Sequence, residues 1–250
     1  MPITFDQPAW AHPFADRLIA AQSTRLGGVS QAPFAALNLG LHTADDPGDV
    51  ARNREIFCQD LGCSVSQLAG AHQVHGDQVL RVQHPGQWTG YDALITNRKG
   101  VVLTVTIADC VPILIFDPVH DAVGAAHAGW RGTVAGIAEK TLRQMGQAFG
   151  TQAKDCWAWV GTCIGALDFA VDADVADHFP RQHKTWDEEK GKFFVDLKKA
   201  NREQLINLQL PATQLTVSPY STVADRERYF SHRAEQGQTG RMLAVIGLRG

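Results

Sequence analysis

The stretch from Val101 to Phe116 constrains this chain more than any other, because it is apolar apart from two threonines and the single charge of Asp109. It stops short of the ~18 uninterrupted apolar residues that a membrane-spanning helix needs. It is instead rich in β-branched residues and is interrupted at Ala108-Asp109-Cys110. That pattern predicts two buried strands, Val101–Ile107 and Val111–Phe116, with a polar break between them. Asp117-Pro118-Val119-His120-Asp121 then reads as a turn into a third strand, Ala122–His127, whose small residues suit close packing against another layer.

The rest of the chain surrounds this centre. The first 60 residues are rich in turn signals, and Asp49 to Leu61 predicts a helix with Val50, Ile56 and Phe57 on its apolar face and Gly62 as its stop. A second helix is expected from Thr133 to Phe149, where Val134, Ile137, Ala138, Leu142, Met145 and Phe149 follow helical spacing. Strands at Trp157–Val160, Leu215–Val217 and Met242–Leu248 and a helix at Leu197–Leu208 complete the outline. Asp172, Asp174 and Asp177 read as helix-start residues, and Asp187 to Lys192 as a solvated loop. Strands come in adjacent runs as well as alternating with helices, so the expected class is α+β with mixed sheets. With 250 residues, 44% hydrophobic and 20% charged, and no linker or repeat, the chain is expected to form one domain over 1–250. A net charge of -3 without a basic block argues against nucleic acid, and the start of the chain lacks a basic and apolar leader. Five cysteines without a C-x-x-C pair read as reduced thiols, so the expected setting is cytoplasmic, with no membrane partner and no demand for an oligomer.

Three residues sit where chemistry could use them. His75 lies in the turn Gln73-Val74-His75-Gly76, Cys110 at the break between the central strands, and His127 at the end of the third strand. Neighbouring strands would bring Cys110 and His127 together, since opposed side chains lie about 5 Å apart. With His75 they make a His₂Cys set, which zinc accepts while keeping a fourth position open, as in catalytic sites. Two other readings stay open. Cys110 and His127 alone could be a nucleophile and its base, and His72 rivals His75 as a ligand if that segment is helical. Asp109, beside the thiol, is a candidate proton carrier or a support for a ligand. Arg25, in a glycine-flanked turn, is a candidate phosphate binder, as are Arg131 and Arg233. Arg131 reads equally as packing at a helix start, and Asn38 as a turn cap or a ribose contact.

At these residues the chain resembles a known family. Gln73-Val74-His75-Gly76, Asp92-Ala93-Leu94-Ile95-Thr96, Ala108-Asp109-Cys110-Val111-Pro112-Ile113-Leu114 and Ala126-His127-Ala128-Gly129-Trp130-Arg131-Gly132-Thr133 are similar to the YfiH-like, laccase-domain family. Thr24 to Ser30, Asn38 to His42, Phe230 to Arg233 and Thr239 to Arg241 resemble it too, so the likeness spans nearly the whole chain. It implies a central mixed β-sandwich flanked by helices, in the manner of the CNF-toxin-like cysteine hydrolases, and one zinc ion on His75, Cys110 and His127. It also implies phosphorolysis of adenosine, inosine and methylthioadenosine with phosphate, and deamination of adenosine. A further attributed activity is the removal of misincorporated L-serine from UDP-MurNAc-L-Ser, for which Cys110 and His127 would act as an amidase. Copper polyphenol oxidation is the older assignment. A multicopper centre needs many histidines, yet no His-x-His occurs and the only methionines are Met1, Met145 and Met242, which disfavours copper. The chain departs from the family at Gly165 to Ala170 and at Tyr220-Ser221-Thr222, two segments expected near the substrate.

Overall fold

A computed structural model of the chain describes residues 3–250. Its strands are β1 Phe5–Asp6, β2 Leu18–Ser23, β3 Leu68–His72, β4 Val79–Arg81, β5 Gly86–Thr89, β6 Ala93–Thr96, β7 Val102–Ile107, β8 Val111–Asp117, β9 Ala122–Ala128, β10 Trp157–Val160, β11 Ala170–Val171, β12 Lys184–Asp187, β13 Lys192–Val195, β14 Leu215–Val217 and β15 Met242–Leu248. Its α-helices are α1 Pro47–Asp60, α2 Trp130–Val134, α3 Ile137–Phe149, α4 Ala173–Ala176 and α5 Leu197–Asn207. Two six-stranded mixed sheets carry the architecture, one ordered β1-β2-β15-β7-β3-β5 and the other β14-β10-β8-β9-β6-β4. A small sheet, β11-β13-β12, sits apart from them.

The central strands are apolar on both sides because both sides are covered. Side chains alternate along a strand. Leu114 and Phe116 of β8 therefore enter the core between the two sheets, together with Leu103 and Val105 of β7 and Ala244 and Ile246 of β15. Val111, Ile113 and Ile115 of β8 point the other way, into a core completed by Ile137, Leu142 and Met145 of α3 and Leu205 of α5. On the outer face of the first sheet, Ile19, Val102, Leu243 and Val245 pack against Phe57 and Cys58 of α1. The result is an α-β-β-α sandwich, which is the expected α+β class with a central mixed β-sandwich flanked by helices.

The polar break at Ala108-Asp109-Cys110 turns out to be a change of layer. β7 ends in one sheet and β8 begins in the other. β8 then pairs antiparallel with β9, with Val111 opposite Ala128 and Pro112 opposite His127. The ends of β3, β7 and β9, the starts of β8 and β15, and Asp92 ahead of β6 thus gather at one rim of the sandwich.

Two local expectations need correction. The single helix from Thr133 to Phe149 is two helices, because Gly136 takes a left-handed conformation (φ 78) between α2 and α3; its missing Cβ removes the penalty that would keep another residue helical. The expected solvated loop is the exposed turn Glu188 to Gly191, but its ends, Asp187 and Lys192, pair with one another as the closing residues of the β12–β13 hairpin. Asp172 stands at the N-cap of α4 without a side-chain cap bond and reaches Lys192 instead. The described residues hold no helix long and apolar enough to cross a membrane.

Because β8 is sealed on both faces, Leu114→Ala, at a side chain with no exposure, should cost about 2–5 kcal/mol through lost burial and the cavity it leaves. A denaturant titration compared with the parent protein checks this.

Candidate active site

His75, Cys110 and His127 converge, with one donor atom from each lying within 4.8 Å of the others. The layout of the rim explains why. Cys110 leads into β8 and His127 is the penultimate residue of β9, so the register that pairs Pro112 with His127 brings sulfur and imidazole to the same side. The His75 ring meets the His127 ring edge-on, with centroids 4.9 Å apart. Room for this depends on two glycines. A Cβ on Gly129 would stand 3.2 Å from Cys110 Sγ and 3.1 Å from the His75 ring, and one on Gly132 would press on the Gly76 carbonyl at 2.9 Å.

One carboxylate organises both histidines. Asp92, 1% exposed, accepts a hydrogen bond at Oδ1 from His127 Nδ1 (2.8 Å) and from the backbone N–H of His75 (3.0 Å). Its Oδ2 accepts from the N–H groups of Val74 and Gly76. His127 is thereby held as the Nδ1–H form, which leaves Nε2 free to act as a donor toward the cluster. His75 itself adopts a left-handed backbone (φ 58), as does Asp109 (φ 86). Such conformations cost free energy at a residue with a Cβ and persist where surrounding bonds hold them; at His75 the three N–H bonds to Asp92 do so. Buried without a charge partner, Asp92 would resist ionising, but the His127 imidazole and the turn N–H groups overcome that and hold its carboxyl below the usual range.

The electrostatics run the same way at the thiol. Burial alone would push Cys110 up, yet the charge and hydrogen bonds of His127, and then of His75, outweigh it and hold the thiol at about 6. Burial would push His127 down, and the Cys110 sulfur and the Asp92 carboxylate raise it to about 9. Two imidazoles and a readily ionised thiol, with one imidazole oriented by a carboxylate, form a donor set that suits a divalent ion of borderline softness. Among the described residues, this is the one group of three or more such donors.

The cluster opens into a cavity of about 450 Å³ lined also by His42, His72, Arg54, Asp109, Phe169, Arg233 and Arg241. Asp109 accepts from Thr222 Oγ1 (2.6 Å) and from the backbone N–H of Arg233 (2.6 Å), which ties the layer change to the C-terminal cover of the cavity. Phe169, from one of the segments that depart from the family pattern, lines the cavity together with Ile164 just ahead of that segment.

The sequence-derived candidates divide sharply. His75, Cys110, His127, Asp109 and Arg233 meet at the cavity. Arg25 does not, because its guanidinium is engaged by Glu235 (2.9 Å) and the Ala35 and Arg226 carbonyls and lies over the Phe230 ring. Asn38 is fully buried and bonds Thr43 and Asp45 while accepting from the backbone of Gly40 and Arg241, so it builds the turn. Arg131 lies over the Trp130 ring, away from the cavity. His72 ends a strand rather than sitting on a helix and faces His42, with ring centroids 4.7 Å apart. Sequence reasoning passed over Asp92 as a site residue; a carboxylate directly before the wholly apolar Ala93-Leu94-Ile95 was the available signal. Arg54 carried no such signal, and Arg241 only its place in the family-like Thr239-Gly240-Arg241 segment.

Comparison with known proteins finds relatives across nearly the whole chain. Residues 19–249 match the family described as multi-copper polyphenol oxidoreductase laccase. The chain is 37% identical over 271 residues, covering 100% of itself and 98% of that protein, to "Purine nucleoside phosphorylase YlmD" of Geobacillus stearothermophilus. It is 43% identical over 231 residues to "Purine nucleoside phosphorylase" of Deinococcus radiodurans, covering 91% of itself and 88% of that protein. The crystal structure of YlmD from Geobacillus stearothermophilus superposes with a TM-score of 0.91 at 36% identity over 100% of both chains.

Removing the shared carboxylate should unsettle both histidines. Asp92→Ala leaves several buried donors unpaired at about 1–3 kcal/mol each, and Asp92→Asn, which keeps an acceptor oxygen, should lose less. Thermal unfolding of the two variants tests this ordering.

Proposed function

The chain belongs to the multi-copper polyphenol oxidoreductase laccase family, in its YfiH-like branch, and we propose that it is a zinc-dependent purine nucleoside phosphorylase that also deaminates adenosine. The observation that carries this reading is the convergence of His75, Cys110 and His127 on the wall of a cavity large enough for a nucleoside. Relatives named purine nucleoside phosphorylase across nearly the full length of the chain support it. Adenosine, inosine and methylthioadenosine are the proposed nucleosides.

His75, Cys110 and His127 would hold the ion. Zinc bound there supplies a Lewis acid with an open position. The protein does the rest by position. Asp92 keeps His127 aligned. Phe169 and Ile164 give the purine an apolar wall. In phosphorolysis a phosphate oxygen forms a bond to C1′ while the bond from C1′ to the base nitrogen breaks, and the departing base needs a proton. Asp109, fixed between Thr222 and the Arg233 backbone, is the proposed carrier of that proton. In deamination the oxygen of water forms a bond to C6 while the bond from C6 to the amino nitrogen breaks, releasing ammonia and leaving inosine. One three-ligand cluster does not make a multi-copper centre, and this supports nucleoside chemistry over polyphenol oxidation.

A second reading draws on one specific contact. Asp92, His127 and Cys110 stand in the order of orienting acid, base and nucleophile, so a metal-free amidase acting on a cell-wall precursor would use the same three side chains.

Metal analysis of the purified protein should find about one zinc per chain, and Cys110→Ser should abolish conversion of adenosine and phosphate to adenine, followed by chromatography that also resolves inosine and hypoxanthine. Unchanged turnover in that variant would remove Cys110 from the site. Alkylation then separates the two readings. A metal-held sulfur resists alkylation until a chelator is added, whereas a free nucleophile reacts at once. Cys63, a half-buried cysteine remote from the cavity, serves as the internal reference whose labelling the chelator should leave unchanged.

A further inference from the structure

Arg54 is 5% exposed, and no carboxylate lies within salt-bridge distance of it among the described residues. Its one hydrogen bond, from Nη1, goes to the Leu39 carbonyl (2.7 Å), which leaves most of its five donors unused. Burial presses its pKa down. An isolated buried charge is among the most costly features a fold can carry. Arg54 is nevertheless held on the wall of the cavity that contains the His75, Cys110 and His127 cluster.

It does not stand alone there. Arg241 lines the same cavity, also without a carboxylate partner, and donates from Nη1 only to the Thr239 and Gly240 carbonyls. The two arginines are joined through the backbone of one residue: Arg54 donates to the Leu39 carbonyl, and the Leu39 N–H donates to the Arg241 carbonyl (2.9 Å). Gly40 follows, and a Cβ there would collide with the Arg241 side chain at 2.7 Å, so the glycine is what lets the arginine stem lie across the loop. His42 and His72 complete this end of the cavity. Across the whole lining the only carboxylate is Asp109, against three arginines.

We propose that the Arg54–Arg241 end of the cavity, flanked by His42 and His72, is an oxyanion subsite that takes a phosphate group. The arginines supply two cations with spare N–H donors, the arrangement that phosphate oxygens engage best, and the anion supplies the counter-charge that Arg54 lacks. The phosphate is either free inorganic phosphate or the phosphate of a phosphorylated nucleoside. The inference deepens the phosphorolytic reading and rests on it for the identity of the anion, not for the existence of the subsite.

Calorimetric titration of the purified protein with inorganic phosphate, and separately with adenosine 5′-monophosphate, tests it without recourse to turnover. Arg54→Met and Arg241→Met should each weaken phosphate binding at least tenfold, Arg54→Lys should recover part of the loss, and Arg52→Met, on the exposed side of α1, should bind as the parent does. Circular dichroism and zinc content confirm that the variants are folded. If adenosine 5′-monophosphate alone shows this arginine dependence, the subsite stands and the phosphorolytic reading falls. If both anions bind the Arg54→Met and Arg241→Met variants as tightly as the parent, or if neither binds the parent, the subsite is overturned.

Discussion

A strand covered on both faces has no room for a charged side chain along its length, and this exclusion shapes the protein. Both large sheets are packed on each side, between one another and under helices, so β7, β8, β9 and β15 are mostly apolar, with threonines in β7 and the ionisable Asp117 and His127 only at the ends of β8 and β9. Groups that carry chemistry are pushed to the strand ends. Cys110 precedes β8, His127 stands next to the last residue of β9, Asp92 precedes β6, and Arg241 precedes β15. The sandwich brings those ends to one rim, and the cavity forms there.

At that rim the arrangement is stiff because buried polar atoms are satisfied in several directions at once. Asp92 illustrates the point. A carboxylate out of water is tolerated only when its lone pairs are used, and here four N–H groups use them. The same bonds that make its burial tolerable also set the backbone of His75 and the ring of His127. Stability and site geometry therefore share one group.

Much of this was legible beforehand, and the exceptions have physical causes. The strands at Val101–Ile107, Val111–Phe116 and Ala122–His127, and the convergence of Cys110 with His127, followed from β-branched runs and short connections. A strand buried on both faces shows no alternation, however, so nothing in its residues says which sheet it joins; the passage of β7 and β8 into different layers was hidden for that reason. The break at Gly136 was hidden because the apolar spacing runs through it unchanged. Arg25 looked like an anion binder because it sits among glycines, yet Glu235, some two hundred residues away in the chain, takes its charge. Arg54 lies within the helix expected over Asp49 to Leu61, with nothing around it in the sequence to single it out. Long-range partners, present in one case and missing in the other, decide both, and local sequence holds no record of them.

The rim also divides the labour of the chain unevenly. The side chains of the metal-type cluster, with their supporting carboxylate, come from the central stretch between His75 and His127, at or beside the ends of strands that cannot shift without emptying the core. Much of the opposite wall, from Ile164 and Phe169 to His232 and Arg233, comes from later loops that contribute little to either sheet. Mutation can rework that wall at small cost to folding. A lineage built this way is free to trade one reactant for another while its reactive centre stays put, and a single scaffold can then accumulate several chemistries across its descendants.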